Sequence, residues 1–70
     1  MRANILKGDM LKRGLTMEAL AAAIGMSVSA LYNKISGRSE FYVSEVFAIC
    51  KAMGYTDAER DAIFFAEEVS

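Results

Sequence analysis

Two short helical segments separated by a glycine constrain this chain more than any other feature, and they lie between Thr16 and Gly37. Thr16 predicts where the first segment begins, because its hydroxyl can accept a hydrogen bond from a backbone N–H of the first turn. Helix-forming residues continue to Ile24, and Gly25 then favours a left-handed helix end. Ser27 can cap the second segment in the same way. Helices this short do not persist alone in water, so both need a packed scaffold.

The second segment is amphipathic. Leu31 and Ile35 lie one turn apart, which predicts that they face the core. The helical period then turns the remaining side chains outward: Val28, Ser29, Tyr32, Asn33 and Ser36. The small side chain of Ala21 in the first segment predicts a close approach between the two helices.

A short motif runs through both segments: Leu20-Ala21, Ile24-Gly25, Met26, Ser27 and Leu31. This motif resembles the helix-turn-helix of the lambda-type repressor and Cro family, also called the xenobiotic-response-element family. The resemblance extends to Gly14-Leu15 before the motif and to the helices after it, so it covers nearly the whole chain. It implies an all-α fold, a compact five-helix lambda-repressor-like bundle with the helix-turn-helix at about 17–35.

The flanking sequence predicts three further helices. Residues 3–13 form the first, in which Gly8 suggests a close helix crossing, and residues 57–67 form the last, opened by a Thr56–Glu59 capping box. Another helix lies between them and ends at Gly54. The apolar stripes that we expect to be buried are Leu6, Met10 and Leu11 in the first helix and Val43, Val46, Phe47, Cys50 and Met53 in the fourth.

Composition excludes several classes of protein. Seventy residues suit a single small domain, 1–70, which the resemblance implies is a DNA-binding domain, and the absence of an apolar run near membrane length predicts a cytoplasmic protein. One cysteine and no histidine argue against a disulfide framework or a Cys/His zinc site. With neither a phosphate-binding glycine loop nor a Ser/His/Asp set, we expect no enzyme activity, no metal, no cofactor and no small-molecule ligand.

Charge is distributed unevenly along the chain. Residues 1–38 carry six basic and two acidic residues, a net charge of +4, whereas residues 39–70 carry two basic and seven acidic residues, a net charge of −5. Such asymmetry occurs on ordinary solvated surfaces, but here the basic half coincides with the helix-turn-helix. This coincidence favours an anionic partner on that side.

The resemblance implies that the second helix of the motif enters the major groove of double-stranded DNA. The residues expected to contact bases are Val28, Ser29, Tyr32 and Asn33. Asn33 can pair with adenine through two hydrogen bonds, and Val28 can pack on a thymine methyl group. Tyr32 can stack on a sugar or a methyl group, or donate its hydroxyl to a phosphate. The alternative is that Tyr32 and Asn33 are ordinary solvent-exposed residues with no role in binding.

A second set of residues is expected to contact phosphate: Thr16, Met17, Ser27, Lys34, Ser36 and Arg38. Two positions depart from the family pattern. Met17 stands where the family commonly has glutamine, which leaves only backbone N–H groups to bind phosphate there. Lys34 stands where the family usually has an apolar residue, so the end of the recognition helix is expected to be rotated or tightened.

The last helix is the expected site of dimerisation. Phe64 and Phe65 point about 100° apart and cannot both face one core stripe, so one of them is available to a second copy. The residues expected at this weak, DNA-assembled interface are Ile63, Phe64, Phe65 and Val69. The alternative is that both rings are buried.

The sequence therefore predicts a transcriptional regulator of the phage repressor or Cro type, binding a palindromic operator by occupancy. The rival hypothesis is a helical protein-interaction module, antitoxin- or adaptor-like, that binds a protein through its acidic C-terminal half.

Overall fold

The computed structural model describes residues 1–66 of the chain. Its elements, in chain order, are α1 (Ala3–Lys12), α2 (Met17–Ile24), α3 (Val28–Ile35), α4 (Val43–Met53), α5 (Asp57–Arg60) and a π-helical turn (Asp61–Phe65) that continues α5. The all-α class and the position of the helix-turn-helix are confirmed. No helix within residues 1–66 is long and apolar enough to cross a membrane.

Both helices of the motif begin where their capping residues predict. The Thr16 hydroxyl accepts the N–H of Ala19 at 3.1 Å, and the Ser27 hydroxyl accepts the N–H of Ala30 at 3.1 Å. Gly25 ends α2 with a φ of 71°, a left-handed conformation that costs glycine little. The chain can therefore change direction between α2 and α3 within three residues, 25–27.

The core lies between the motif and the helices that flank it. Leu6, Leu20, Leu31 and Ile49 are each fully buried, one from each of the first four helices. Ala21 is 1% exposed, and α2 packs against both α3 and α4. The small Ala21 side chain is thus buried in the helix that packs against both α3 and α4.

Helix α1 buries a narrower stripe than predicted. Leu6 and Met10 are buried, but Leu11 is 83% exposed, so its predicted burial is wrong. Leu11 lies about 100° around the helix from Met10, beyond the reach of the core. A Cβ added to Gly8 would meet nothing within 4 Å, so the close helix crossing suggested there is also wrong.

Helix α4 is rotated relative to the predicted stripe. Val43 and Phe47 are 62% and 50% exposed, so their predicted burial is wrong. The buried residues are Val46, Ile49, Cys50 and Met53, which follow the i, i+3, i+4, i+7 spacing of one face. Ile49 is fully buried at the centre of this face, although it was absent from the predicted stripe. As expected, Cys50 is a small buried apolar residue, and burial raises the pKa of its thiol.

The last helix begins at the predicted capping box, where the Thr56 hydroxyl accepts the Glu59 N–H and the Glu59 carboxylate accepts the Thr56 N–H. It does not continue as one α-helix, because a π-helical turn starts at Asp61. Hydrogen bonds from i to i+5 widen this turn, so consecutive side chains are separated by a smaller angle. Ile63 and Phe64 can therefore both turn towards the core.

Side-chain contacts attach α1 to the C-terminal part of the domain. The Tyr55 hydroxyl donates to the Asp9 carboxylate at 2.7 Å. Burial raises the pKa of Tyr55 most, and this hydrogen bond raises it further. The Arg13 guanidinium donates to the Met53 carbonyl at the end of α4 and lies over the Tyr55 ring. The N–H of Arg2 donates to the Ile63 carbonyl at 2.7 Å, which ties the start of α1 to the π-helical turn.

Candidate nucleic-acid interface

Helix α3 presents a continuous outward face. Leu31 and Ile35 are buried, as predicted, and they fix which side of the helix is exposed. Val28 is 39% exposed and Tyr32 55%, Ser29 is exposed, and Asn33 is half-buried. An exposed valine and tyrosine beside polar side chains provide both the apolar and the hydrogen-bonding groups that base edges can contact.

The backbone carbonyl of Asn33 is held by hydrogen bonds, whereas its side-chain amide makes none within residues 1–66. Its carbonyl accepts the Ser36 hydroxyl at 3.1 Å and the Arg38 N–H at 2.9 Å, which holds the end of α3. Within residues 1–66, its side-chain amide makes no hydrogen bond. Both the donor and the acceptor of this amide are therefore available to a base.

The N-termini of α2 and α3 can each receive a phosphate. The first N–H groups of a helix lack intrahelical partners and attract anions. Thr16 and Ser27 are exposed, and each hydroxyl can still donate a hydrogen bond while it accepts its capping bond. The side chain of Met17 packs against the core, so at this position only the backbone can contact phosphate.

Arg38 and Ser36 extend this surface beyond the end of α3. Both residues are exposed, and the Ser36 hydroxyl is already bonded to the Asn33 carbonyl. The Arg38 side chain makes no ion pair with another residue of the described range. No acidic side chain of that range therefore neutralises the Arg38 charge.

Lys34 lies differently from the other expected phosphate contacts. Its side chain is 12% exposed, and its ammonium forms an ion pair with Glu45 of α4. The same ammonium lies 4.3 Å from the centre of the Tyr42 ring. Lys34 therefore directs its charge towards α4, where its partner Glu45 is only partly exposed.

Sequence reasoning missed Tyr42 and Glu45. Glu45 accepts the Tyr42 N–H at 2.7 Å, which caps α4. The hydrogen bond from Lys34, and to a smaller extent the Tyr42 N–H, lower the pKa of the Glu45 carboxyl. The glutamate three residues after the capping position Tyr42 was a visible signal, since this is the acidic half of a capping box. It was missed because Tyr42 does not belong to the usual capping residues.

The expected dimer residues occupy different environments. Ile63 is 3% exposed and belongs to the core, so as folded it offers no surface to a partner. Phe64 packs against the core and meets the Phe41 ring edge-on at 5.8 Å, whereas Phe65 is 50% exposed. The expectation that one ring turns inward and the other outward agrees with these positions. Val69 lies outside the described residues.

Phe65 is part of an exposed apolar strip, which we define as Val43, Phe47 and Phe65. Val43 and Phe47 are one turn apart on α4 and therefore lie on the same face. The Arg60 guanidinium lies 5.1 Å from the Phe47 ring centre and 5.9 Å from that of Phe65, and so joins α4 to the π-helical turn. Arg60 is also paired with Asp57 and Asp61, which neutralise its charge.

Two short helices joined by a tight turn, the second with its outer face exposed, form the helix-turn-helix arrangement of DNA-binding domains. The helix-turn-helix family model matches residues 6–59, which include α1 to α4 almost completely. The chain belongs to the helix-turn-helix family of the lambda repressor and Cro type, and it is a transcription regulator that binds double-stranded DNA. This family is regulatory, not enzymatic. Comparisons with curated proteins and with solved structures found no match.

Proposed function

We propose that this protein is a sequence-specific repressor of the phage repressor or Cro type, acting as a single DNA-binding domain over residues 1–70. It acts by occupying a palindromic operator, with two copies on half-sites about one helical turn apart, where they obstruct polymerase. The observation that supports this proposal is the exposed face of α3, held in place by a capped start and a buried apolar side.

Specific binding requires both base contacts and phosphate contacts. In this proposal Asn33 pairs with adenine, Val28 packs on a thymine methyl group, and Tyr32 and Ser29 complete the contact with the bases. Phosphates on either side are held by the N-termini of α2 and α3 and by Arg38.

The partner on DNA is a second copy of the chain. One helix-turn-helix module makes a small interface, so tight and selective binding needs two modules related by a two-fold axis. The exposed apolar strip lies on the acidic half of the chain and supplies a contact surface for this purpose. The net charge of −5 over residues 39–70 opposes this association, so the dimer forms mainly on DNA.

The exposed apolar strip also favours a second candidate function, that of a protein-interaction module. In that case an unrelated protein would cover Val43, Phe47 and Phe65 on the acidic C-terminal half of the chain.

Selection of bound duplexes from a random-sequence library tests the proposal directly. We expect an enriched site with two related half-sites, and an affinity that falls steeply as salt increases. Wild-type protein that enriches no sequence and binds DNA only weakly would contradict the proposal. Co-purification of a stoichiometric protein partner in the same preparation would then support the second candidate.

A further inference from the structure

Three side chains connect the end of α3 to the start of α4, and we call them the α3–α4 brace: Lys34, Tyr42 and Glu45. The Lys34 ammonium donates to Oε1 of Glu45, and the same oxygen accepts the Tyr42 N–H. The Tyr42 ring covers the ammonium from a distance of 4.3 Å. A single carboxylate oxygen thus caps α4 and holds a residue of α3.

The brace differs from an ordinary surface ion pair. The Lys34 and Glu45 side chains are 12% and 20% exposed, so solvent screens their attraction less than that of a fully exposed pair. The Tyr42 ring adds a cation–π contact on a second side of the ammonium. Two contacts, the ion pair with Glu45 and the ring of Tyr42, therefore hold the Lys34 side chain in one position.

The location of the brace allows it to influence the position of α3. Helices α3 and α4 each pack mainly on α2, and residues 36–42 join them as a connecting loop. The brace links the two helices directly. Its lysine is the immediate neighbour of Asn33 and lies two residues after Tyr32, so a shift of Lys34 moves both of these side chains.

We propose that Lys34 and Glu45 are positioning residues that set the angle at which α3 presents Asn33 and Tyr32 to base edges. This proposal rests on the proposed use of α3 for base recognition. Hydrogen bonds to bases tolerate little displacement, because they weaken steeply outside a narrow range of distance and angle. Phosphate contacts from α2 and from the start of α3 do not depend on the brace, so its loss reduces sequence discrimination more than overall DNA binding.

Two matched variants separate the brace from its neighbouring interactions. Lys34→Met keeps an unbranched apolar stem and removes the charge. Glu45→Gln keeps an oxygen that can cap α4, as glutamine does in capping boxes, and removes the ion pair. Lys51→Met is the control, because Lys51 is an exposed lysine of α4 that makes no ion pair within the described residues.

Amide hydrogen exchange of the DNA-free protein gives the first readout. The Ser36 N–H donates to the Tyr32 carbonyl and the Arg38 N–H donates to the Asn33 carbonyl, and both bonds report on the end of α3. We expect Lys34→Met and Glu45→Gln each to accelerate exchange at these two amides by about tenfold, with little change at the amides of α1. Unchanged protection in Glu45→Gln would overturn the proposal, whatever the protein does on DNA.

Sequence discrimination gives the second readout, measured as the ratio of affinity for the duplex that the wild type selects to affinity for a random-sequence duplex. Loss of folded protein lowers both affinities equally and leaves this ratio unchanged. We expect both brace variants to lower the ratio by about tenfold, equivalent to roughly one base contact, and the Lys51→Met control to leave it unchanged.

The salt dependence of binding distinguishes the brace from a direct phosphate contact. If Lys34 positions α3, Lys34→Met leaves the slope of affinity against salt as it is in the Lys51→Met control. A slope reduced by about one unit relative to that control would identify Lys34 as a phosphate contact and overturn the proposal. A wild type that selects no duplex contradicts the proposed function instead, and the exchange measurement then decides whether the brace exists.

Discussion

At the scale of single residues, Asn33 is the side chain on which base recognition depends most. Its backbone carbonyl accepts hydrogen bonds from the Ser36 hydroxyl and from the N–H groups of Arg38 and Ser39, whereas its side-chain amide makes no hydrogen bond within residues 1–66. We predict that Asn33→Ala costs roughly 1–3 kcal/mol of binding free energy on the selected duplex and relaxes the choice of base at one position. Titration of single-base variants of that duplex measures both effects.

The control for this prediction is Asn4→Ala, since Asn4 is an exposed asparagine on α1, outside the helix-turn-helix. It should leave affinity and base preference unaltered. If Asn33→Ala also leaves both unaltered, α3 reads DNA in a different register or does not read it.

A second residue-scale prediction contrasts two leucines. Leu31 is fully buried between the helices of the motif, whereas Leu11 is 83% exposed. Leu31→Ala should lower the free energy of unfolding by roughly 2–5 kcal/mol, because it removes buried methyl groups and leaves a cavity. Leu11→Ala should change it by less than about 0.5 kcal/mol. Urea unfolding of the two variants checks this, and equal losses would contradict the burial pattern.

Which residues are buried could be predicted from sequence where a capped helix fixed the register. Leu31, Ile35 and Ala21 lie in such helices, and all three were identified. Val43 and Phe47 were placed in the core because their spacing fits a helical stripe. Their neighbours Val46, Ile49 and Met53 fit a stripe equally well, and periodicity alone does not decide which of two overlapping apolar faces meets the core.

At the scale of elements, α1 contains an avoidable weakness. Gly8 lies inside the helix, and a Cβ added there meets nothing within 4 Å. Gly8→Ala should therefore raise the free energy of unfolding by roughly 0.5–1 kcal/mol, because alanine loses less conformational freedom on folding. Thermal or urea unfolding measures the gain. Gly54→Ala is the contrasting variant, since its φ of 70° strains an alanine, and it should lower stability instead.

The link between α3 and α4 should also be visible in the pH dependence of stability. The Lys34 ion pair and the Tyr42 N–H lower the pKa of the Glu45 carboxyl in the folded protein below its ordinary value of 4.5. The ionised Glu45 carboxylate therefore stabilises the folded protein fully at pH values above 4.5. This stabilisation is lost as the pH falls through the lowered pKa of the folded state. We predict that Glu45→Gln destabilises the protein near neutral pH and that its difference from wild type shrinks in acid.

Unfolding curves of wild type and Glu45→Gln from about pH 7 to about pH 3 measure this difference. Glu18→Gln serves as the comparison, because Glu18 is exposed in α2 and forms no ion pair within residues 1–66. A Glu45→Gln difference that stays constant with pH would show that the carboxylate does not stabilise the fold through its charge.

The helix boundaries show which local signals determine an element. Thr16, Ser27 and Thr56 each begin a helix, since a hydroxyl at the cap satisfies a backbone N–H in any fold. The π-helical turn at Asp61 has no comparable local signal. It brings the adjacent Ile63 and Phe64 towards the core together, and this advantage depends on contacts with distant parts of the chain, such as Phe41.

At the scale of the whole molecule, the distribution of charge along the sequence does not show which charged side chains are used within the fold. The sequence separates a basic half from an acidic half, yet the structure uses Lys34 and Arg13 of the basic half within the fold. Lys34 is paired with an acidic residue and Arg13 is bound to a backbone carbonyl, so fewer basic side chains can contact phosphate directly than the net charge of +4 over residues 1–38 indicates. The resemblance identified the family and the motif, but a count of charges could not show which of them face DNA.

Assembly into a pair is the last whole-molecule prediction, and it turns on Phe65. Phe65 is 50% exposed within the apolar strip, whereas Phe64 packs against Phe41 and the core. Phe65→Ala should therefore leave the thermal melt nearly unchanged yet abolish cooperative filling of the two half-sites, because it removes interface area from both copies at once. Phe64→Ala should instead lower the free energy of unfolding by about 3 kcal/mol. Operator titration and sedimentation equilibrium measure assembly with and without DNA, and Leu11→Ala controls for the loss of any exposed apolar side chain. Cooperative filling that persists in Phe65→Ala would place the contact between copies elsewhere on the molecule.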